Sequence, residues 1–258
     1  MTAVGIRVVP PLALNETARL LRHPLTVLGL LLWILRVAED GWAGPRPGFT
    51  ALTAEMIIFW GVPAFFAANL VASAARRAEE TLSAAPCDRS RRTGALCLAA
   101  LGPFALSCTA QALMAGLYLI TGNELERFPS LAELGMGPLN VLGAGLLGVA
   151  VARWLPWPGA SVLVMLALIV GTKLLFDQQG KYLLALYVDL AVWGPAPHLD
   201  AAGFLPGDMG LHALYLLSLC LGAGALAMLK DTPRRELWLG IGAVIVLCVM
   251  ITGIGQLT

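Results

Sequence analysis

The chain has 258 residues, of which 58% are apolar and only 13% charged, and its net charge is +1. A soluble domain carries about a quarter charged residues, so this composition excludes an ordinary water-soluble fold and gives no support to nucleic-acid binding. The apolar residues gather in runs close to the roughly 17–25 residues that a helix needs to cross a bilayer. An all-α, polytopic transmembrane helix bundle forming one domain is expected.

In chain order, the first residues lack the continuous apolar core of a signal peptide, so no cleaved leader is expected. Residues 12–22 place Leu14, Ala18 and Leu21 on one helical face and Asn15, Arg19 and Arg22 on another. That pattern suits a basic amphipathic helix on the membrane surface, or an ordinary lead-in to the first span. Seven candidate spans follow at 24–38, 49–75, 94–121, 138–152, 159–176, 211–229 and 237–257. A six-span core would be complete without the last. The segment 177–210 is too long for a turn, and its apolar, aromatic part 182–193 is too short to span, as expected for a re-entrant or interfacial helix.

Orientation follows from the connections. With the N-terminus on one side, that side holds 12 Lys and Arg residues and the other holds 5. The excess of basic residues in cytoplasmic loops places the N-terminus in the cytoplasm. Fourteen Arg against three Lys, among abundant Ala and Gly, suggests a GC-rich bacterial source and hence the cytoplasmic (inner) membrane. Five cysteines, Cys87, Cys97, Cys108, Cys220 and Cys248, show no metal spacing and imply no disulfide framework.

The most basic connection, 76–92, joins the second and third spans. Arg76, Arg77, Glu79, Glu80 and Thr81 suit a short charged helix across the membrane surface, stopped before Pro86. Asp88 or Ser90 is placed to cap the third span. A plain positive anchor would look similar. The order Arg76, Glu80, Leu82, Pro86, Arg89 and then Arg91–Arg92 resembles the coupling-helix loop of the permease subunits of type-two ATP-binding-cassette (ABC) exporters. The amphipathic segment before the first span and the short apolar run 182–193 before the sixth fall where that family has a connecting helix and re-entrant helices, and the seventh span exceeds its usual six.

The resemblance implies a permease that forms the substrate pathway for export. Its partners would be a second permease copy or a related permease, membrane lipids, and ABC ATPase subunits docking on Arg76, Arg77, Glu79, Glu80, Leu82, Pro86 and Arg89. The chain has no G-x-x-x-x-G-K-[ST] loop, so ATP and Mg would be bound by the ATPase subunits and no cofactor by this chain. An ATP-independent scaffold or channel is the alternative. An intramembrane hydrolase needs an acid–base partner at membrane depth, and His23, His198 and His212 all fall outside or at the ends of the spans, so no catalytic or metal residue is expected.

Polar residues within spans are costly and therefore candidates for function. Arg36 and Glu55 fall near the outer ends of consecutive spans, where they either pair or snorkel to the headgroups. Asn69 and Gln111 either line a path or bond one helix to another. Lys173 and Asp177 have i, i+4 spacing for a local pair. Small residues in spans four, six and seven permit close helix contact within or between subunits.

Overall fold

The computed structural model describes residues 9–81, 88–122, 125, 127–176 and 208–255, and all regular structure among them is helical. The first described helix is α1 (Val9–Leu21), which overlaps the amphipathic segment 12–22 read from the sequence, and the chain turns at His23 into α2 (Pro24–Ala43). The His23 imidazole Nδ1 accepts the Leu25 amide at 3.2 Å, capping α2 where Pro24 supplies a preset φ. The elbow bends the chain by 55°. One face of α1 packs on protein: Leu20 joins Ala72, Leu96 and Ala152 in a buried cluster.

Gly44, at a φ of 135° that a side chain rarely tolerates, ends α2 and starts α3 (Pro45–Thr53). A π-helical turn (Ile57–Gly61) and α4 (Val62–Thr81) continue the same apolar rod, Pro47–Arg77. Next, α5 (Arg89–Ala99) and α6 (Leu101–Thr121) form a second rod with a step at Ala100. Pro103 lies at that step and cannot donate to the Ala99 carbonyl, which accounts for the break in the ladder.

The helix α7 (Leu131–Trp154) opens on a capping box, in which the Ser130 side chain accepts from the Glu133 amide and the Glu133 carboxylate accepts from the Ser130 amide. It is followed by α8 (Ala160–Phe176), α9 (Met209–Asp231) and α10 (Arg235–Gly255). At the centre lies α7, whose most apolar stretch is 61% buried, whereas that of α10 is only 6% buried and α10 packs chiefly on α9. The reason is local: Gly143, Gly145 and Gly148 let α9, α5 and α4 approach the α7 backbone, while α10 presents Val244, Leu247 and Ile251 outward.

Among the described residues, five helical segments are long and apolar enough to cross a membrane, or six if the bent pair α1–α2 counts as one broken span. The seven spans read from the sequence differ in two respects. Pro138, taken as the start of span four, lies inside α7, which begins seven residues earlier at Leu131. Span one carries Arg36, Glu39 and Asp40 within its helix and qualifies only together with α1. Span five, read as 159–176, is the helix Ala160–Phe176, 17 residues and so at the lower bound for a crossing, with 177–207 outside the described residues. The final segment, by contrast, qualifies as Arg235–Gly255.

Candidate functional site

The charged connection between spans two and three begins inside α4. Arg76, Arg77, Glu79 and Glu80 are the last turns of a helix that runs without a break from Val62 to Thr81, so they do not form a separate surface helix. The α-helical ladder simply continues, because Ala74, Ala75, Arg76, Arg77, Ala78, Glu79 and Glu80 contain no β-branched residue, glycine or proline. Leu82 and Pro86 lie outside the described residues, as do 177–207 with the apolar run 182–193 and Asp177. Beyond them, Arg89 is the first residue of α5 and is exposed. Asp88 occupies the N-cap position but makes no side-chain cap; its carboxylate accepts the Ser90 hydroxyl at 2.8 Å.

Around this connection, side chains tie the helix ends together. Arg76 Nη2 donates to the Pro156 carbonyl at 3.0 Å, joining α4 to the turn after α7. Asp231, the last residue of α9, accepts the Thr93 hydroxyl at 2.6 Å and lies 3.4 Å from Arg153 Nε. The Arg153 side chain is only 3% exposed, so Asp231 supplies the countercharge that makes its burial tolerable. Beside it, Trp154 Nε1 donates to the Leu226 carbonyl at 2.8 Å, and Lys230 Nζ sits 4.9 Å above the Trp154 ring. The ends of α4, α7 and α9 and the start of α5 thus form one charged, cross-linked end of the bundle.

At the opposite end Arg36 and Glu55, for which the sequence left pairing and snorkelling both open, form a pair. Arg36 Nε lies 2.9 Å from Glu55, and the same guanidinium reaches Glu39 at 3.0 Å and Asp40 at 2.9 Å. One planar cation therefore serves three carboxylates from two elements. The Tyr118 hydroxyl donates to the Val37 carbonyl at 3.0 Å, adding α6 to this corner. Arg127 pairs with the fully buried Glu133 and stands 4.8 Å over the Phe49 ring.

Asn69 and Gln111 bond helix to helix. Asn69 Nδ2 donates to the Gly148 carbonyl at 3.2 Å and Gln111 Nε2 to the Leu52 carbonyl at 2.5 Å. Gln111 Oε1 and the indole nitrogens of Trp33 and Trp60 are buried without a hydrogen-bond partner among the described residues. The two indoles stand 6.2 Å apart.

Two networks were not anticipated from the sequence. Arg127–Glu133 carries a signal, since Ser130 followed three residues later by Glu133 is the capping-box pattern. Thr93–Asp231–Arg153 offers only a faint one: Asp231 is a single acid among Lys230, Arg234 and Arg235. Among the described residues, no three His, Cys, Asp or Glu side chains converge as a metal site. No protein-family model matches the chain, and neither does any curated protein or solved structure.

Proposed function

We propose that the chain is the membrane-spanning permease subunit of an ABC exporter, set in a bacterial cytoplasmic membrane with the cross-linked basic end in the cytoplasm. The observation that carries this reading is the unbroken course of α4 from the π turn to Thr81. A rigid helix passes a displacement at its tip to its root, and the root here is a π turn, a form found often at functional positions. The Thr93–Asp231–Arg153 cluster would share the same displacement with α7 and α9.

In this reading ATP and Mg are held by separate ATPase subunits, which push on Arg76, Arg77, Glu79, Glu80, Leu82, Pro86 and Arg89. Two permeases, identical or related, enclose the pathway and alternate between inward-facing and outward-facing states. The excess of Lys and Arg at this end, 12 against 5 in the sequence, supports its cytoplasmic placement.

The test is copurification. Expressed with its neighbouring genes, the tagged chain should retain an ABC ATPase, and the double change Glu80→Lys with Arg89→Glu should release that subunit or abolish its substrate-stimulated ATP hydrolysis. Unchanged copurification and transport, or no ATPase at all, would overturn the proposal and favour an ATP-independent scaffold or channel.

A further inference from the structure

A cavity of about 390 Å³ lies between α7, α9 and α10, closed on one side by the π turn. Its walls are Ile57 and Gly61 from the two ends of that turn, Gly143 and Leu147 of α7, and Ala223 and Ile245 of α9 and α10, among other apolar neighbours. No charged residue lines it. The polar side chains at its border donate to their own surroundings: Asn140 to the Met136 carbonyl at 2.8 Å, Ser218 to the Leu214 carbonyl at 2.8 Å and Cys220 to the Leu139 carbonyl at 3.1 Å. Such a space has little to hold water, and apolar cavities of this kind stay dry or take hydrocarbon.

Its depth identifies the occupant. Cys220 is the central residue of α9 (Met209–Asp231), Ile245 is the central residue of α10 (Arg235–Gly255), and Gly143 stands at the middle of α7 (Leu131–Trp154). Each helix extends about 16 Å to either side of that level at 1.5 Å per residue, which is half of a bilayer's hydrocarbon core. The cavity therefore faces the level where lipid tails end, and the lightly packed α10 forms its outer wall. The volume lies within the roughly 300–1,000 Å³ typical of small-molecule sites.

We infer that this cavity is a binding site for one acyl chain of a membrane phospholipid, which enters from the bilayer beside α10 and ends against Ile57 and Gly61. The site recognises the tail and not the headgroup. It places the tail against the π turn at the root of α4, and it stands whether or not the chain belongs to a transporter.

The test uses the full chain in nanodiscs containing a phosphatidylcholine with a diazirine near the end of one acyl chain, followed by photolysis and mass-spectrometric mapping. Inward residues Gly222 and Ala223 should be labelled, together with the outward residues Val244 and Leu247 that any surrounding lipid reaches. Ala223→Phe, which fills the cavity, should reduce inward labelling at least tenfold and leave outward labelling unchanged. Ala223→Ser, which preserves the volume, should label like the wild type. Native mass spectrometry after mild delipidation should show one retained phospholipid in the wild type and none in Ala223→Phe, with an unchanged thermal unfolding midpoint serving as the check that the variant is folded. Labelling confined to outward residues, equal inward labelling in Ala223→Phe, or a lipid-free dimer of the chain in native mass spectrometry with no adducts at Gly222 and Ala223 would overturn the inference.

Discussion

Replacing Gly148 by alanine should separate α4 from α7. A methyl group there would stand 3.0 Å from both the Ala68 methyl and the Asn69 amide nitrogen, and nearer still to the Phe65 carbonyl oxygen, where ordinary contact is 3.4–4 Å. Three backbone or near-backbone atoms meet it, so no flexible side chain can yield. Overpacking of this kind costs about 1–3 kcal/mol. Moving the helices apart also weakens the Asn69 bond to the Gly148 carbonyl, worth about 0.6 kcal/mol in a membrane bundle. The sum, about 2–4 kcal/mol, lowers the unfolding midpoint by roughly 5–15 °C for a chain of this size.

The measurement is thermal unfolding of the purified chain in mild detergent, followed by tryptophan fluorescence. Gly240→Ala is the control, because nothing lies within 4 Å of a methyl placed there. It should leave the midpoint unchanged or raise it slightly, since alanine is the better helix former by about 1 kcal/mol. A Gly148→Ala midpoint no lower than that of Gly240→Ala would refute the close contact.

Two further outcomes follow from the charged corners, and both are read in the same unfolding assay. Arg36→Ala leaves Glu39, Asp40 and Glu55 without their cation and should cost about 2–3 kcal/mol, below the full cost for a buried pair because the Arg36 side chain is 33% exposed. Glu39→Ala removes only the most exposed carboxylate and should cost less than about 0.5 kcal/mol. Asp231→Ala removes the carboxylate beside the buried Arg153 and should cost up to about 3–5 kcal/mol, with the added Arg153→Leu change recovering part of the loss. Recovery would fail if Asp231 acted mainly through Thr93.

The helical class and most span positions were legible because apolar run length is set by the bilayer and survives any packing arrangement. Arg36 and Glu55 were legible only as candidates, because charges near the same end of consecutive spans either pair or snorkel, and Glu39 and Asp40 share the same guanidinium. The breaks were not. Proline favours a helix start but is tolerated inside a membrane helix, so Pro138 misled by seven residues and Pro103 gave no notice of the step at Ala100. The π turn has no residue signature, since it arises from how Ile57–Gly61 is packed. Networks joining distant elements were hidden by separation alone: Thr93 meets a residue 138 positions away.

The glycine notch of α7 also bears on how the chain is assembled. Asn69 and Gly148 are 79 residues apart, and α5 and α6 lie between them. During synthesis α4 enters the membrane long before α7 exists, with the face that will meet Gly148 still covered by lipid. The central contact of the bundle therefore waits for α7, and α9 docks on α7 later still, with α10 packing in turn on α9. However early α4 is inserted, the Asn69–Gly148 contact cannot form until α7 has been made.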